Sequence, residues 1–94
     1  MASVIDLDAL WDFGQPAVSE ERFREVLTTA SGDDALVLRT QLARAIGLQR
    51  RFDECAEELD VVELATGDPE NSAAPIVRVY LELERGRQLR SNSR

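Results

Sequence analysis

The sequence predicts an all-α protein, and three observations support that class. Its 94 residues include only five glycines and three prolines, most of which lie between segments with helical periodicity. No Asn-Gly pair marks a hairpin, and no segment alternates apolar and polar residues long enough to indicate a strand. Apolar residues instead recur at intervals of three and four, as one face of a helix requires. We expect five helices.

The first two helices are predicted from turn signals and an apolar stripe. The first covers about 4–13 and is interrupted at Gly14. Proline suits the first turn of a helix, because its missing N–H would have no partner there, so Pro16 begins a second helix over 16–29. The apolar stripe of that helix comprises Phe23, Val26, Leu27 and Ala30.

The third and fourth helices are separated by a short turn. Gly32 suits a left-handed helix end and Asp33 suits the next N-cap, so the third helix is predicted over 34–49. Its apolar arc is wide, which indicates neighbours on two sides. The fourth helix, over 52–65, is the most clearly amphipathic. Its apolar face comprises Phe52, Cys55, Ala56, Leu59 and Val62.

The last helix follows the strongest loop signal in the chain, residues 66–72. It is predicted over 74–91. Its first half is apolar nearly all round, and its second half is rich in arginine. Basic side chains suit the negative pole of a helix C-terminus, which supports this direction and length.

Helices three and four carry a pattern that resembles a tetratricopeptide repeat. The residues concerned are Leu42-Ala43-x-x-Ile46, then Arg51-Phe52-Asp53-Glu54-Cys55-Ala56, then Leu59 and Val62. This repeat is a helix-turn-helix of about 34 residues in which small and large side chains interlock at fixed offsets. Ala43 and Cys55 stand at the small positions where the helices cross closely. The whole stretch is similar to bacterial tetratricopeptide-repeat proteins of unassigned function.

The resemblance implies antiparallel helix hairpins stacked as a short right-handed solenoid. A degenerate first hairpin is expected at 4–30, a complete repeat at 34–65, and the first helix of an incomplete repeat at 74–91. Stacked repeats need neighbours, so the apolar last helix is expected either to belong to a longer array or to meet a second copy or another protein. The alternative fold is a compact bundle with the last helix folded back over the core.

The resemblance also implies a non-catalytic protein-binding function, with the inner helices lining a concave groove. Arg44 and Arg87 are equivalent residues of adjacent repeats and are expected side by side. Two guanidinium groups there would suit an acidic peptide or a C-terminal carboxylate. The alternative is a local surface ion pair of Arg87 with Glu84. The expected partner-binding residues are Thr40, Gln41, Arg44, Tyr80, Leu83, Arg87 and Arg90, with Val37, Leu48 and Glu84 at neighbouring groove positions.

Charge and composition narrow the function further. The chain has 18 acidic residues against 11 arginines, with no lysine and no histidine, and a net charge of −7. This charge opposes binding to nucleic acid, and the lack of histidine removes Ser-His-Asp catalysis, Cys-His catalysis and His-ligated metal sites. Residues 78–94 contain two acids and five arginines, which is locally +3 and favours contacts between the tail and an acidic partner surface.

The remaining candidates have simpler interpretations. The acidic side of the fourth helix, over 53–60, is expected to be a solvated face rather than a metal or carboxylate site. Cys55 is expected to be a buried, unreactive thiol, and Trp11 with Phe13 is expected to plug the end of the stack. We therefore expect no catalytic residue, cofactor or metal.

The expected partner is a protein or peptide, with a homodimer through the last helix as one possibility. The alternative function is a structural N-terminal fragment or cap of a longer array, without a ligand. A single cysteine, an acidic N-terminus and the lack of a long apolar run predict a cytoplasmic location, with no membrane partner.

Overall fold

The computed structural model describes residues 7–12, 14–67 and 75–92, which form helices joined by short turns, with no β-strand among them. The all-α prediction is therefore confirmed. The described part of the first element is a single turn, and four longer helices follow it. The elements are α1 at Leu7–Leu10, α2 at Pro16–Leu27, α3 at Gly32–Leu48, α4 at Phe52–Gly67 and α5 at Pro75–Asn92.

The turn between α2 and α3 follows from short polar side chains and one glycine. The hydroxyls of Thr28 and Thr29 donate to backbone carbonyls one turn back, and α2 ends just before them. Gly32 has φ +60°, so the predicted left-handed position is confirmed. The N-cap of α3 is Ser31 rather than the predicted Asp33, and its side chain makes no capping hydrogen bond.

Helix α3 is the centre of the fold. It packs against α2, α4 and α5, whereas α5 also packs against α4, and α1 lies on α2. Within the described residues the backbones of α2 and α4 do not approach each other, nor do those of α2 and α5. The wide apolar arc predicted for α3 is explained by this central position.

One apolar core joins all the elements. Trp11 packs edge-on against Phe23, with ring centroids 5.0 Å apart, and so closes the end of the core near α2. Its predicted companion Phe13 lies outside the described residues. The buried core residues are Trp11, Phe23, Leu38, Leu42, Ala43, Ala45, Ile46, Cys55, Leu59, Val62, Val77 and Leu81.

The close approach of α3 and α4 occurs at Gly47 and Cys55. A Cβ atom added to Gly47 would lie 3.3 Å from Cys55 Sγ, which is tighter than ordinary van der Waals contact. The sequence pattern pairs Cys55 with Ala43, which is also buried. Burial raises the pKa of the Cys55 thiol, with a further contribution from the negative charge of Glu84. The thiol is buried, as predicted.

Ion pairs connect the helices outside the core. Arg39 on α3 pairs with Glu58 on α4 at 2.9 Å, and Arg85 on α5 pairs with Asp60 on α4. Such partly exposed ion pairs contribute little to the free energy of unfolding. None of the described helices is long and apolar enough to cross a membrane.

Candidate functional site

The predicted groove residues differ widely in exposure. Arg44 and Arg87 were expected to lie side by side, and both line the same cavity. Tyr80 is half-buried, and Leu83 is 51% exposed on the outer side of α5. The side chain of Arg90 lies outside the described part of the structure.

Two of the predicted contact residues lie inside the protein. The Thr40 side chain is fully buried, and its hydroxyl donates to the carbonyl oxygen of Val37 at 2.6 Å. Gln41 is 4% exposed and is hydrogen-bonded to buried neighbours. A partner in the groove does not reach either side chain. We therefore reassign both residues from partner contact to support of the site.

The cavity has a volume of about 160 Å³ and lies where α3, the start of α4 and α5 meet. One wall is charged and the other is apolar or small. Leu48 is half exposed at this site, so apolar surface remains open to solvent beside the arginines. The lining residues are Arg44, Gly47, Leu48, Phe52, Cys55, Glu84 and Arg87.

Arg44 is positioned by an aromatic ring from the N-terminal segment. Its guanidinium carbon lies 5.2 Å from the ring centroid of Trp11, within the range of a cation–π contact. Burial lowers the pKa of Arg44, and the like charge of Arg87 lowers it further, whereas Glu84 raises it. Arg44 remains charged at neutral pH, because an arginine pKa starts far above that range.

Glu84 is the buried carboxylate of the site. Its side chain is only 4% exposed; Oε1 lies 3.3 Å from Arg87 Nε, and Oε2 accepts a 3.4 Å hydrogen bond from Gln41 Nε2. Burial raises its pKa, although Arg87, Arg44 and the Gln41 hydrogen bond act in the opposite direction. The sequence interpretation of Glu84–Arg87 as a surface ion pair is thus only half correct: the pair exists, but its carboxylate is internal.

A sequence signal for the burial of Glu84 existed. The residue lies three positions after Leu81 and seven after Val77, both of which are buried. Helical residues at these spacings share one face, so a carboxylate in this register belongs to the apolar face of α5. The pattern therefore contained a buried acid, which composition alone does not reveal.

Arg87 is partly exposed, but one of its donor atoms is buried. Its Nε atom is buried and has no hydrogen-bond acceptor among the described residues, because the Glu84 oxygen at 3.3 Å is poorly aligned with the N–H. The rest of the side chain is 42% exposed.

The acidic side of α4 does not form a comparable site. Glu54 pairs with Arg51, and Glu58 pairs with Arg39. The hydrogen bond from Arg51 lowers the pKa of Glu54, which is opposite to what a general acid needs. No group of three potential metal ligands occurs within the ranges that the structure describes.

Nothing in these described residues indicates an enzyme, since the cavity brings together two arginines, a carboxylate and apolar groups without a paired nucleophile and base. The described lining combines these charged groups with the apolar side chains of Leu48 and Phe52. Comparison with known proteins adds no identity, because no family model, no curated protein and no solved structure matches this chain.

Proposed function

We propose that this protein is a non-catalytic protein–protein interaction module that binds a peptide or a partner subunit in the groove between α3 and α5. The observation that carries the proposal is the cavity that Arg44 and Arg87 both line, together with one carboxylate, Glu84, among its described lining residues. Two arginines and one carboxylate thus line the described part of the cavity, on a chain with a net charge of −7. A positive cavity in an acidic protein attracts a partner's carboxylate selectively.

The packing order supports the tetratricopeptide-like part of the proposal. Helix α3 contacts α4 and α5, and α4 also contacts α5, as is expected when α3 and α4 form one repeat and α5 begins the next. The close approach of Gly47 to Cys55 fits the small-residue crossing of such a hairpin. In this proposal the repeat covers 34–65, and the right-handed stacking creates the concave side.

A second candidate function is a structural unit of a larger helical assembly. Val79 and Leu83 are one helical turn apart on α5 and are each about half exposed, and Leu64 on α4 is 77% exposed. These side chains favour a covering helix or a second copy of the chain. Sedimentation at high protein concentration tests self-association. A chain that stays monomeric there and binds no peptide would contradict both self-association and peptide binding.

The peptide-binding proposal is tested by selecting displayed random peptides on the immobilised full chain and measuring their dissociation constants. Arg44→Gln and Arg87→Gln should each raise the dissociation constants of the selected peptides by about tenfold or more. Each substitution removes a charge-assisted hydrogen bond to the peptide. Arg78→Gln is the matched control, because Arg78 is exposed on α5 and does not line the cavity.

Peptides that bind equally well to the wild type and to both cavity variants would refute the proposed groove. Equal weakening by the Arg78 variant would show that net charge, rather than the cavity, controls binding. Circular dichroism of each variant establishes that the helices are intact, since Arg44 also contacts Trp11.

A further inference from the structure

We infer that α5 binds the same helix of a second copy of this chain, in antiparallel orientation across a two-fold axis. The contact surface is the outer face of α5, which we define as Arg78, Val79, Glu82, Leu83 and Gly86. The inference rests on the second candidate function and makes it specific, because it commits this face to one partner and one geometry. None of these residues lines the cavity between α3 and α5, so the inference does not depend on peptide binding.

An apolar row forms the centre of the outer face of α5. Val79 and Leu83 are 50% and 51% exposed, whereas the intervening Leu81 is buried. Residues four apart lie one above the other on a helix, so Val79 and Leu83 form one continuous patch. The row reaches Gly86, where an added Cβ would meet nothing within 4 Å. Because helices approach each other more closely where side chains are small, this face suits another helix.

A charged row runs beside the apolar row. Arg78 and Glu82 are also four positions apart, and each precedes one of the exposed apolar residues, so both lie on the same side of that row. Both side chains are exposed, and neither makes an ion pair with another described residue. An arginine one turn before a glutamate is the weaker order for an ion pair within a helix. The two charges are therefore available to a partner.

The order of these two charges matches an antiparallel second copy. When two helices pack antiparallel across a two-fold axis, the same side of each helix faces its equivalent, and the contacts are reciprocal. With the axis at the level of residue 80, Arg78 stands opposite the partner's Glu82, and Glu82 stands opposite the partner's Arg78. In a parallel pair this side would face the partner's Tyr80 and the partner's Arg87, which offer Arg78 no carboxylate. The charge pattern thus selects the antiparallel arrangement.

The charge of the whole chain favours self-contact at α5 over self-contact at α4. Two chains that each carry −7 repel one another, so self-contact requires a surface without excess acid. Helix α4 also exposes apolar residues, but Glu57, Asp60 and Glu63 are exposed beside them. A single arginine, Arg85, offsets the last two. The outer face of α5 has one charge of each sign, so two copies meet there without local repulsion.

The test measures self-association of the full chain by analytical ultracentrifugation. A single pair of helices is a small interface, so we expect a weak dimer, with a dissociation constant on the order of 10–100 μM. Val79→Ser and Leu83→Ser should each raise that constant by about tenfold. Leu64→Ser is the matched control, because Leu64 is 77% exposed on α4 and lies outside the outer face of α5. All three side chains are at least half exposed, so the substitutions are compatible with the folded helices, which circular dichroism verifies.

Charge reversal tests the antiparallel geometry. Arg78→Glu alone and Glu82→Arg alone each place like charges opposite one another twice in the dimer, so each should raise the dissociation constant by about tenfold. The two substitutions combined in one chain keep the net charge at −7 and restore both pairs. The dissociation constant should then return to within about twofold of the wild-type value. Equimolar mixing of the two single variants should also restore the dimer, since one chain then supplies two acids and the other two arginines.

Any of three results would overturn the inference. The first is a double charge-reversal variant as weak as the single variants. The second is assembly beyond a dimer, which indicates head-to-tail contacts instead. The third is a wild-type chain that stays monomeric up to about 1 mM. In that case a covering helix from another protein would remain for the second candidate function, and the peptide-binding proposal would stand or fall on its own measurement.

Discussion

The indole Nε1 of Trp11 donates a 3.0 Å hydrogen bond to Oε1 of Gln41, thirty positions further along the chain. The same glutamine donates through Nε2 to Glu84 on α5. A buried polar chain therefore runs from the N-terminal segment through α3 to α5. Trp11 also makes a cation–π contact with Arg44. This series of hydrogen bonds therefore links the end of the core at Trp11 to a residue that lines the cavity.

The first prediction concerns this series of buried hydrogen bonds. Gln41→Leu removes two buried hydrogen bonds, the one that Trp11 Nε1 donates and the one that Glu84 Oε2 accepts. We expect a loss of about 2 kcal/mol in the free energy of unfolding, measured by urea denaturation. Trp11→Phe removes the other half of the same hydrogen bond, so Gln41→Leu and Trp11→Phe together should cost about 1 kcal/mol less than the sum of their separate effects. Strict additivity would contradict the coupling.

The second prediction concerns Glu20, which joins α2 to the turn between α3 and α4. Its carboxylate accepts hydrogen bonds from Arg24, Gln49 and Arg51 at 2.7–3.0 Å, although Glu20 is only 9% exposed. Burial acts to raise the pKa of Glu20, but the bonds from Gln49, Arg51 and Arg24 outweigh it, and the pKa lies below its ordinary value. Glu20→Gln should cost about 2 kcal/mol at pH 7.

The sign of the pH dependence follows from that lowered pKa. The folded state holds Glu20 ionised at a pH where the unfolded state, with a pKa of about 4.3, begins to bind a proton. The contribution is present above that pH and is lost as the pH falls through the folded pKa. Unfolding curves from pH 7 to pH 3 should therefore converge for the wild type and Glu20→Gln. A difference that stays constant would contradict this assignment.

The third prediction has the opposite sign because the pKa of Glu84 is raised. Its contribution to stability is fully present below the unfolded pKa of about 4.3 and is lost as the pH rises through the folded pKa. Relative to Glu84→Gln, the wild type should therefore lose stability as the pH increases from about 4. The same denaturation series measures this, and a difference that grows in favour of the wild type would refute it.

The fourth prediction concerns the turn after α3. Arg50 has φ +64°, and the amides of Arg50 and Arg51 bond back to the carbonyls of Gly47 and Ile46, the pattern of a left-handed helix cap. Glycine adopts this conformation without a Cβ clash. Arg50→Gly should be about 1 kcal/mol more stable than Arg50→Ala, which makes the same charge change. Equal thermal midpoints for the two variants would contradict the argument.

Much of the fold was predictable because its signals are local. The start of α2 at Pro16, the left-handed Gly32 and the start of α4 at Phe52 follow from backbone preferences and from apolar spacing over a few residues. The first helix was predicted over 4–13, but residues 11 and 12 are not helical, and residues 4–6 and 13 lie outside the described part of the structure. A periodic pattern indicates a helix but does not by itself fix its length.

The candidate site was predictable only in part. The adjacency of Arg44 and Arg87 was expected from their equivalent positions in the repeat pattern, and both line the cavity. The exposure of Thr40 and Gln41 was predicted incorrectly, because a side chain on the inner face of one helix is exposed or buried according to the helix that packs beside it. Helix α5 packs against α3, and Gln41 bonds to Glu84 across that interface.

The sequence by itself determined the helical class, most helix boundaries and the uneven charge of this protein, because each depends on residues close together in the chain. Only the tertiary structure decided that Glu84 is internal, that Gln41 connects Trp11 to α5, and that two arginines share a cavity with Leu48 and Phe52. Those features depend on contacts between residues dozens of positions apart. Burial and the pKa of a carboxylate are set by such contacts and not by local periodicity.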